Sequence, residues 1–261
     1  YATSDQVLFG NLRGYIAEDG IRQGSIGFGY RFPADELWTF GINGFLDYQH
    51  SEEDHDYGQI GLGVEALSVD WEFRANAYLP LGDRDKAVSD ANAALIESGR
   101  LIFRAGQETA LHGADAEIGY RIPLLPATDL TQVKAFAGGY WYDGDGIESI
   151  PGASGRVELS HVGLPVFGQD SSLTLVAGAS YDDERGETGT LLARLRIPFG
   201  SNARRLDDPL YRRVERADVI RTHVGATGDA EAAVFVETGQ TAGKVVRIAA
   251  GDTAAAINEK L

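Results

Sequence analysis

The stretch Gly24-Ser-Ile-Gly-Phe-Gly-Tyr-Arg-Phe32 separates by parity: Gly24, Ile26, Phe28, Tyr30 and Phe32 fall on even positions, and Ser25, Gly27, Gly29 and Arg31 on odd ones. A period of two marks a strand with one apolar face, because successive side chains of an extended chain point to opposite sides. The pattern spreads outward from there. Trp38, Phe40, Ile42, Leu46 and Tyr48 oppose Thr39, Gly41, Asn43 and Asp47, with Phe45 the one large residue out of place. Asn43-Gly44 falls inside this alternation and is therefore not read as a turn. Ile60, Leu62, Val64 and Ala66 oppose Gln59, Gly61, Gly63 and Glu65; Trp71, Phe73, Ala75 and Ala77 oppose Glu72, Arg74, Asn76 and Tyr78. Ala116, Ile118, Tyr120 and Ile122 face away from Glu117, Gly119 and Arg121, and Leu191, Ala193, Leu195 and Ile197 from Thr190, Arg194 and Arg196. With weaker versions at 8–16, 132–142, 156–161 and 172–181, the chain holds ten candidate strands in residues 1–200.

The polar face decides what kind of sheet this is. It is mostly Gly with single Arg, Glu, Asp and Asn residues, which suits a crowded, enclosed, polar surface. The apolar face runs about 9–11 residues per strand, the length that crosses a bilayer when tilted. The connections alternate as well. Acidic segments (18–20, 50–56, the long 82–113, 143–154 and 182–187) take turns with a mostly shorter set (33–36, around Ser68, 126–130 and 163–171). Long loops on one side and short turns on the other are the pattern of an outer-membrane barrel. We therefore expect an all-β, antiparallel transmembrane barrel over residues 1–200, with both its ends on the short-turn side. Arg13, Arg31, Glu65, Glu72, Arg74, Glu117, Arg121, Arg194 and Arg196 are expected to line the lumen. The competing architecture is a soluble ligand-binding barrel with an ordinary core.

Composition alone points elsewhere. A formal charge of −16, from 23 Lys and Arg against 39 Asp and Glu, argues against a nucleic-acid partner, which would need cations to neutralise phosphates. That charge and a mean hydropathy of −0.19 look like a soluble acidic protein until the apolar residues are sorted by face. Cysteine is absent, so disulfides, zinc-thiolate sites and Cys nucleophiles are excluded. Methionine is absent too, so the sequence is expected to be part of a longer translated product, any signal peptide having been lost with its start. His50 and His55 with Asp54 and Asp56 read as a solvated acidic loop rather than a metal site. Asp143-Gly-Asp145 lacks the later ligands of a calcium loop. There is no nucleophile elbow or phosphate loop, and adjacent Ser160 and His161 point to opposite faces of a strand. No catalytic, cofactor or metal residue is expected, and no enzyme.

Beyond Gly200 the texture changes. Residues 201–221 hold six Arg against four Asp and Glu. Asp208-Pro209 reads as a helix start, acid cap then Pro, and Tyr211 onward can continue it. A basic helical linker that threads the lumen, pairing Arg212, Arg213 and Arg216 with carboxylates such as Glu65, Glu72 and Glu117, is the expectation for 201–221. In residues 222–261, Ala232–Glu237 and Gly243–Ala249 read as two short strands and Ala254–Leu261 as a helix start capped by Asp252 or Thr253, the beginning of a C-terminal passenger domain.

Asn11-Leu-Arg-Gly-Tyr15, Gly24-Ser-Ile-Gly-Phe-Gly-Tyr-Arg31, Phe40-Gly-Ile-Asn-Gly-Phe-Leu-Asp-Tyr48, Gly61-Leu-Gly-Val-Glu-Ala-Leu67 and Arg74-Ala-Asn-Ala-Tyr-Leu-Pro-Leu81 resemble the β-domain of the intimin and invasin family, the inverse autotransporters. Gly113-Ala-Asp-Ala-Glu-Ile-Gly-Tyr120 looks like the strand after that family's long loop. The resemblance covers roughly residues 8–221. It implies a twelve-stranded barrel in a bacterial outer membrane, where ten strands are read here, with a linker running back through the lumen. It also implies type V secretion: export of a C-terminal passenger and its display at the cell surface, with adhesion as the family's usual outcome. Outer-membrane lipid, the barrel-assembly machinery and periplasmic chaperones are the implied partners, and no cofactor is implied. The alternative function is a porin-like diffusion channel whose C-terminal segment stays periplasmic.

Overall fold

A computed structural model describes residues 2–3, 6–97, 100–123, 130–197 and 208–232. Ten long strands form one antiparallel sheet: β1 (Gln6–Ile16), β2 (Arg22–Pro33), β3 (Thr39–His50), β4 (Asp56–Leu67), β5 (Trp71–Leu81), β6 (His112–Ile122), β7 (Thr131–Asp143), β8 (Ile150–Leu164), β9 (Gly168–Asp182) and β10 (Gly186–Arg196). Each pairs with its neighbours in sequence, so the sheet is an up-and-down meander from β1 to β10. Two-residue strand Ala2–Thr3 folds back onto β1. Asn43 and Gly44 lie mid-strand in β3, opposite Gly63 and Leu62 of β4.

The sheet curls with its polar parity inward. In β2, Gln23, Ser25 and Arg31 are buried while Ile26 and Phe28 are exposed. The same split holds in β3 to β5, where Asp47, Glu65, Glu72 and Arg74 are buried and Ile42, Leu46, Leu62 and Phe73 are not. Curling brings β10 back near β1, so that Asn11, Leu195 and Arg196 line one cavity. The two strands are not paired with each other among the described residues. Phe45 keeps the parity of its strand and turns inward, 3% exposed.

Short turns close one end. Asp35 accepts hydrogen bonds from the backbone N–H groups of Leu37 and Trp38, at 2.8 and 2.7 Å, and the Ser68 hydroxyl accepts from Trp71 N at 2.9 Å. These local side-chain bonds turn the chain within three or four residues. Next to these turns the outer face carries an aromatic belt, with Trp71 and Tyr120 rings 4.5 Å apart, Trp38 and Phe73 5.8 Å apart, and Phe32 and Phe40 6.3 Å apart. Such belts sit at the level of lipid headgroups in membrane barrels. The expected turn at 126–130 lies outside the described residues except for Leu130.

Two expectations need correction. The segment 82–113, read as one long loop, contains four short strands: Asp85–Ala87, Ala93–Glu97, Arg100–Arg104 and Gln107–Ala110. The expected lumenal helix after Asp208 is one 3₁₀ turn, Pro209–Tyr211, after which residues 212–221 form neither helix nor strand and bend at 218–219. Its cap was legible, since the Asp208 carboxylate accepts from Leu210 N at 3.0 Å and Pro209 follows. A helix does not continue because the wall supplies partners for the backbone groups that a helix would pair internally, as described next.

Candidate functional site

The inner face is wired with ions. Arg31, 1% exposed, pairs with Glu65 at 2.6 Å. Glu72 is shared by Arg74, by Lys134 at 2.5 Å and by Arg212 at 3.0 Å. Arg74 reaches on to Glu117 at 3.1 Å, and Arg156 holds both Glu117 and, at 3.0 Å, Glu158. Arg194 bridges Glu158 at 3.3 Å and Glu215 at 3.0 Å. Charges this far from water carry a large desolvation cost, so the network holds only while each charge keeps its partner.

Residues 208–221 run along this inner face from the short-turn end to the long-loop end. Their backbone bonds to wall side chains in sequence order. Arg31 donates to the carbonyls of Leu210 (3.3 Å) and Arg212 (2.5 Å), Arg13 to Val214 O (2.6 Å) and Asn76 to Glu215 O (3.2 Å). Ala217 N donates to the Tyr78 hydroxyl at 2.8 Å. Ile220 N donates to both Gln23 and Gln49 at 2.9 Å, and Gln49 returns a bond to Ile220 O at 3.1 Å. These side chains stand in for a neighbouring strand, which is why a backbone that is neither helix nor strand is satisfied here.

One side chain is fixed more firmly than the others. Arg216 makes a two-pronged contact with Asp47, at 2.7 and 2.5 Å. Its guanidinium lies 4.5 Å over the Phe45 ring, which Arg13 covers at 5.1 Å. Two neighbouring glycines make the room. A Cβ on Gly27 would run into the Phe45 ring, and one on Gly61 would come within 2.8 Å of Arg216 Nη2.

At the loop end the segment leaves the wall and enters the folded long loop. Thr222–Gly225 pairs with Gln107–Ala110, which in turn pairs with Asp85–Ala87. Ala230–Ala232 pairs with Arg100–Arg104. Glu108, 1% exposed, ties the first of these sheets to the β3–β4 loop by accepting from Ser51 at 2.8 Å and meeting His55 Nδ1 at 2.8 Å. His223 meets Glu184 of the β9–β10 loop at 2.7 Å.

Among the residues expected in the lumen, Arg13, Arg31, Glu65, Glu72, Arg74, Glu117 and Arg194 join this network, and Arg196 lines the same cavity. Arg121 sits at the rim instead, half-exposed and paired with Asp70 at 2.6 Å. Of the linker arginines, Arg212 meets Glu72, whereas Arg216 takes Asp47. Arg213 pairs within its own segment, with Asp218 at 3.3 Å and Glu215 at 3.7 Å. Glu65 and Glu117 are held by wall arginines rather than by the linker. Sequence reasoning missed Asp47, Phe45, Tyr78, Lys134 and Arg156. The inward parity of the first three was already visible in it. Among the described residues no group of His, Asp and Glu is arranged to hold a metal ion.

Residues 1–153, which span β1 to β7 and the start of β8, match the family model described as the inverse autotransporter β-domain. The chain belongs to this family. Inverse autotransporter β-domains are secretion and anchoring domains of the bacterial outer membrane, not an enzyme family, which agrees with an apolar face turned out and an ionic face turned in. The meander continues unbroken past the matched residues, through β8 to β10. A search of curated proteins finds no match.

Proposed function

We propose that this inverse autotransporter domain anchors in the outer membrane, exports a C-terminal passenger through its lumen and holds that passenger at the cell surface. The barrel spans residues 1–200, residues 201–221 are the lumenal linker, and the passenger starts after 222. The observation that carries this reading is the path of residues 208–225, bonded to the inner wall from the short-turn end up to Ile220 and then paired with the folded long loop through Thr222–Gly225. An extended chain covers up to about 3.3–3.6 Å per residue, so some ten residues span a bilayer core of about 30 Å. Two further strands joining β1 to β10 would bring the wall to the family's twelve and remove the unpaired edges that hydrocarbon does not tolerate. Lipid around the apolar face, barrel-assembly machinery and periplasmic chaperones are the partners of this reading.

Protease added to intact cells tests it. Cleavage beyond residue 232, with the acidic loops cut as well, is the expected result. If the C-terminal segment stays protected while the loop at 51–55 is cut, the diffusion-channel alternative with a periplasmic tail takes over. The lumenal position is tested separately by the pair Glu72→Cys and Arg212→Cys. Two long side chains separate their backbones, so joining by short bifunctional thiol crosslinkers is expected, and no crosslink at any spacer length in the folded barrel removes the linker from the lumen.

A further inference from the structure

The lumen is unevenly filled. Residues 208–221 lie against β1 to β5, and beside them, at the short-turn end of the β7–β10 flank, is a cavity of about 400 Å³. Seven basic side chains line it against three carboxylates, Glu72, Glu158 and Glu215. Those carboxylates are already divided: Glu72 among three cations, Glu158 between Arg156 and Arg194, Glu215 between Arg194 and Arg213. Glu117, on the far side of the network, is taken by Arg74 and Arg156.

Three observations mark where a further anion fits. Arg196 lines the cavity without a hydrogen bond or ion pair among the described residues. The buried Nε atoms of Arg74 and Arg194 have no hydrogen-bond partner. The hydroxyls of Ser160, Ser172 and Thr174 stand on the same wall. Surplus positive charge gathered in a half-open cavity is unfavourable unless an anion offsets it. Guanidinium N–H groups together with hydroxyl donors are the chemistry that recognises tetrahedral oxyanions.

We propose that this cavity seats an oxyanion of the phosphate class at the short-turn mouth of the lumen. It lies at the same end of the barrel as the aromatic belt, which allows two sources with one chemistry, free phosphate or the headgroup of a phospholipid in the adjacent leaflet. The seat is built mainly of wall residues and stands whether or not a passenger is exported.

The test uses the full chain refolded in maltoside micelles, which contain no phosphate. The temperature at which the folded barrel gives way is followed by gel mobility while inorganic phosphate replaces chloride at constant ionic strength. A saturable rise is expected. Arg196→Gln, which removes no internal ion pair, shifts the half-effect concentration up by about tenfold, the loss of one charge-assisted hydrogen bond. Arg185→Gln, on a loop at the opposite end, leaves the response unchanged. Phosphate acting no better than chloride, or equally on Arg196→Gln, overturns the inference. Repeating the titration in phosphatidylglycerol vesicles identifies the source. Loss of the phosphate response there assigns the seat to lipid phosphate, and an undiminished response assigns it to the free anion.

Discussion

The two flanks of the lumen treat the same inner segment differently. β1, β2, β3 and β5 grip its backbone through Arg13, Arg31, Gln23, Gln49, Asn76 and Tyr78. The flank from β7 to β10 reaches it by the ion pair of Arg194 with Glu215. On that side the remaining contacts are looser, the Arg221 guanidinium lying 5.7 Å from the Tyr140 ring and 5.4 Å from Tyr142. One flank is thus a seat and the other a margin, and the cavities of about 310 and 400 Å³ fall along the margin. Burial follows chemistry here, because donors and acceptors aimed at a main chain exclude water from it, whereas a surplus of like charges keeps side chains apart.

The largest break in this contrast comes from Asp47→Ala. It leaves the Arg216 guanidinium buried without its carboxylate and is expected to destabilise the folded barrel by about 3–5 kcal/mol, read from heat or urea unfolding of refolded protein. Replacing Arg216 with Leu in the same chain should recover most of that loss, and a double variant as weak as the single one would contradict the pairing. Next is Gly27→Val, whose side chain collides with the Phe45 ring that both Arg13 and Arg216 cover. A cost of about 1–3 kcal/mol is expected, whereas Gly24→Val on the open outer face should leave the midpoint unchanged. On the margin, Arg194→Gln removes a mostly buried bridge but leaves Glu158 with Arg156 and Glu215 with Arg213, so it should cost about 1–2 kcal/mol, less than Asp47→Ala. The smallest effect is expected for Glu184→Gln at the loop end, a few tenths of a kcal/mol at most in the same assay. If Arg194→Gln equals Asp47→Ala, the distinction between seat and margin disappears.

Parity carried much of the fold, because a strand with lipid on one side and charge on the other cannot slip by one residue without burying its ions in hydrocarbon. Ten strands, the inward face of Arg31 and Glu72 and the alternation of loop lengths were all readable for that reason. Phe45 was readable as an exception, but its purpose needs Gly27 and Arg216, which approach it only once β2 and the linker are in place. Which carboxylate takes which arginine was not readable, since cross-lumen partners depend on curl and register rather than on local pattern. The linker's non-helical form was hidden for a related reason. Asp208-Pro209 gives an honest local start signal, and the wall's donors then override helix propensity. The strand Gln107–Ala110 pairs with residues more than a hundred positions away, so nothing in its own short sequence marked it as a strand.

A backbone held by side-chain amides, guanidiniums and a phenol is recognised by shape, and shape repeats every two residues along an extended chain. A polypeptide sliding over such a surface would find nearly equivalent resting places at each step. The Asp47 and Arg216 pair limits that degeneracy, because a shift by one step of two residues would present Val214 or Asp218, not a guanidinium, to the carboxylate beside Phe45. In mechanical language the wall is a smooth rail and this pair is its detent, fixing which residues of the segment rest against the wall.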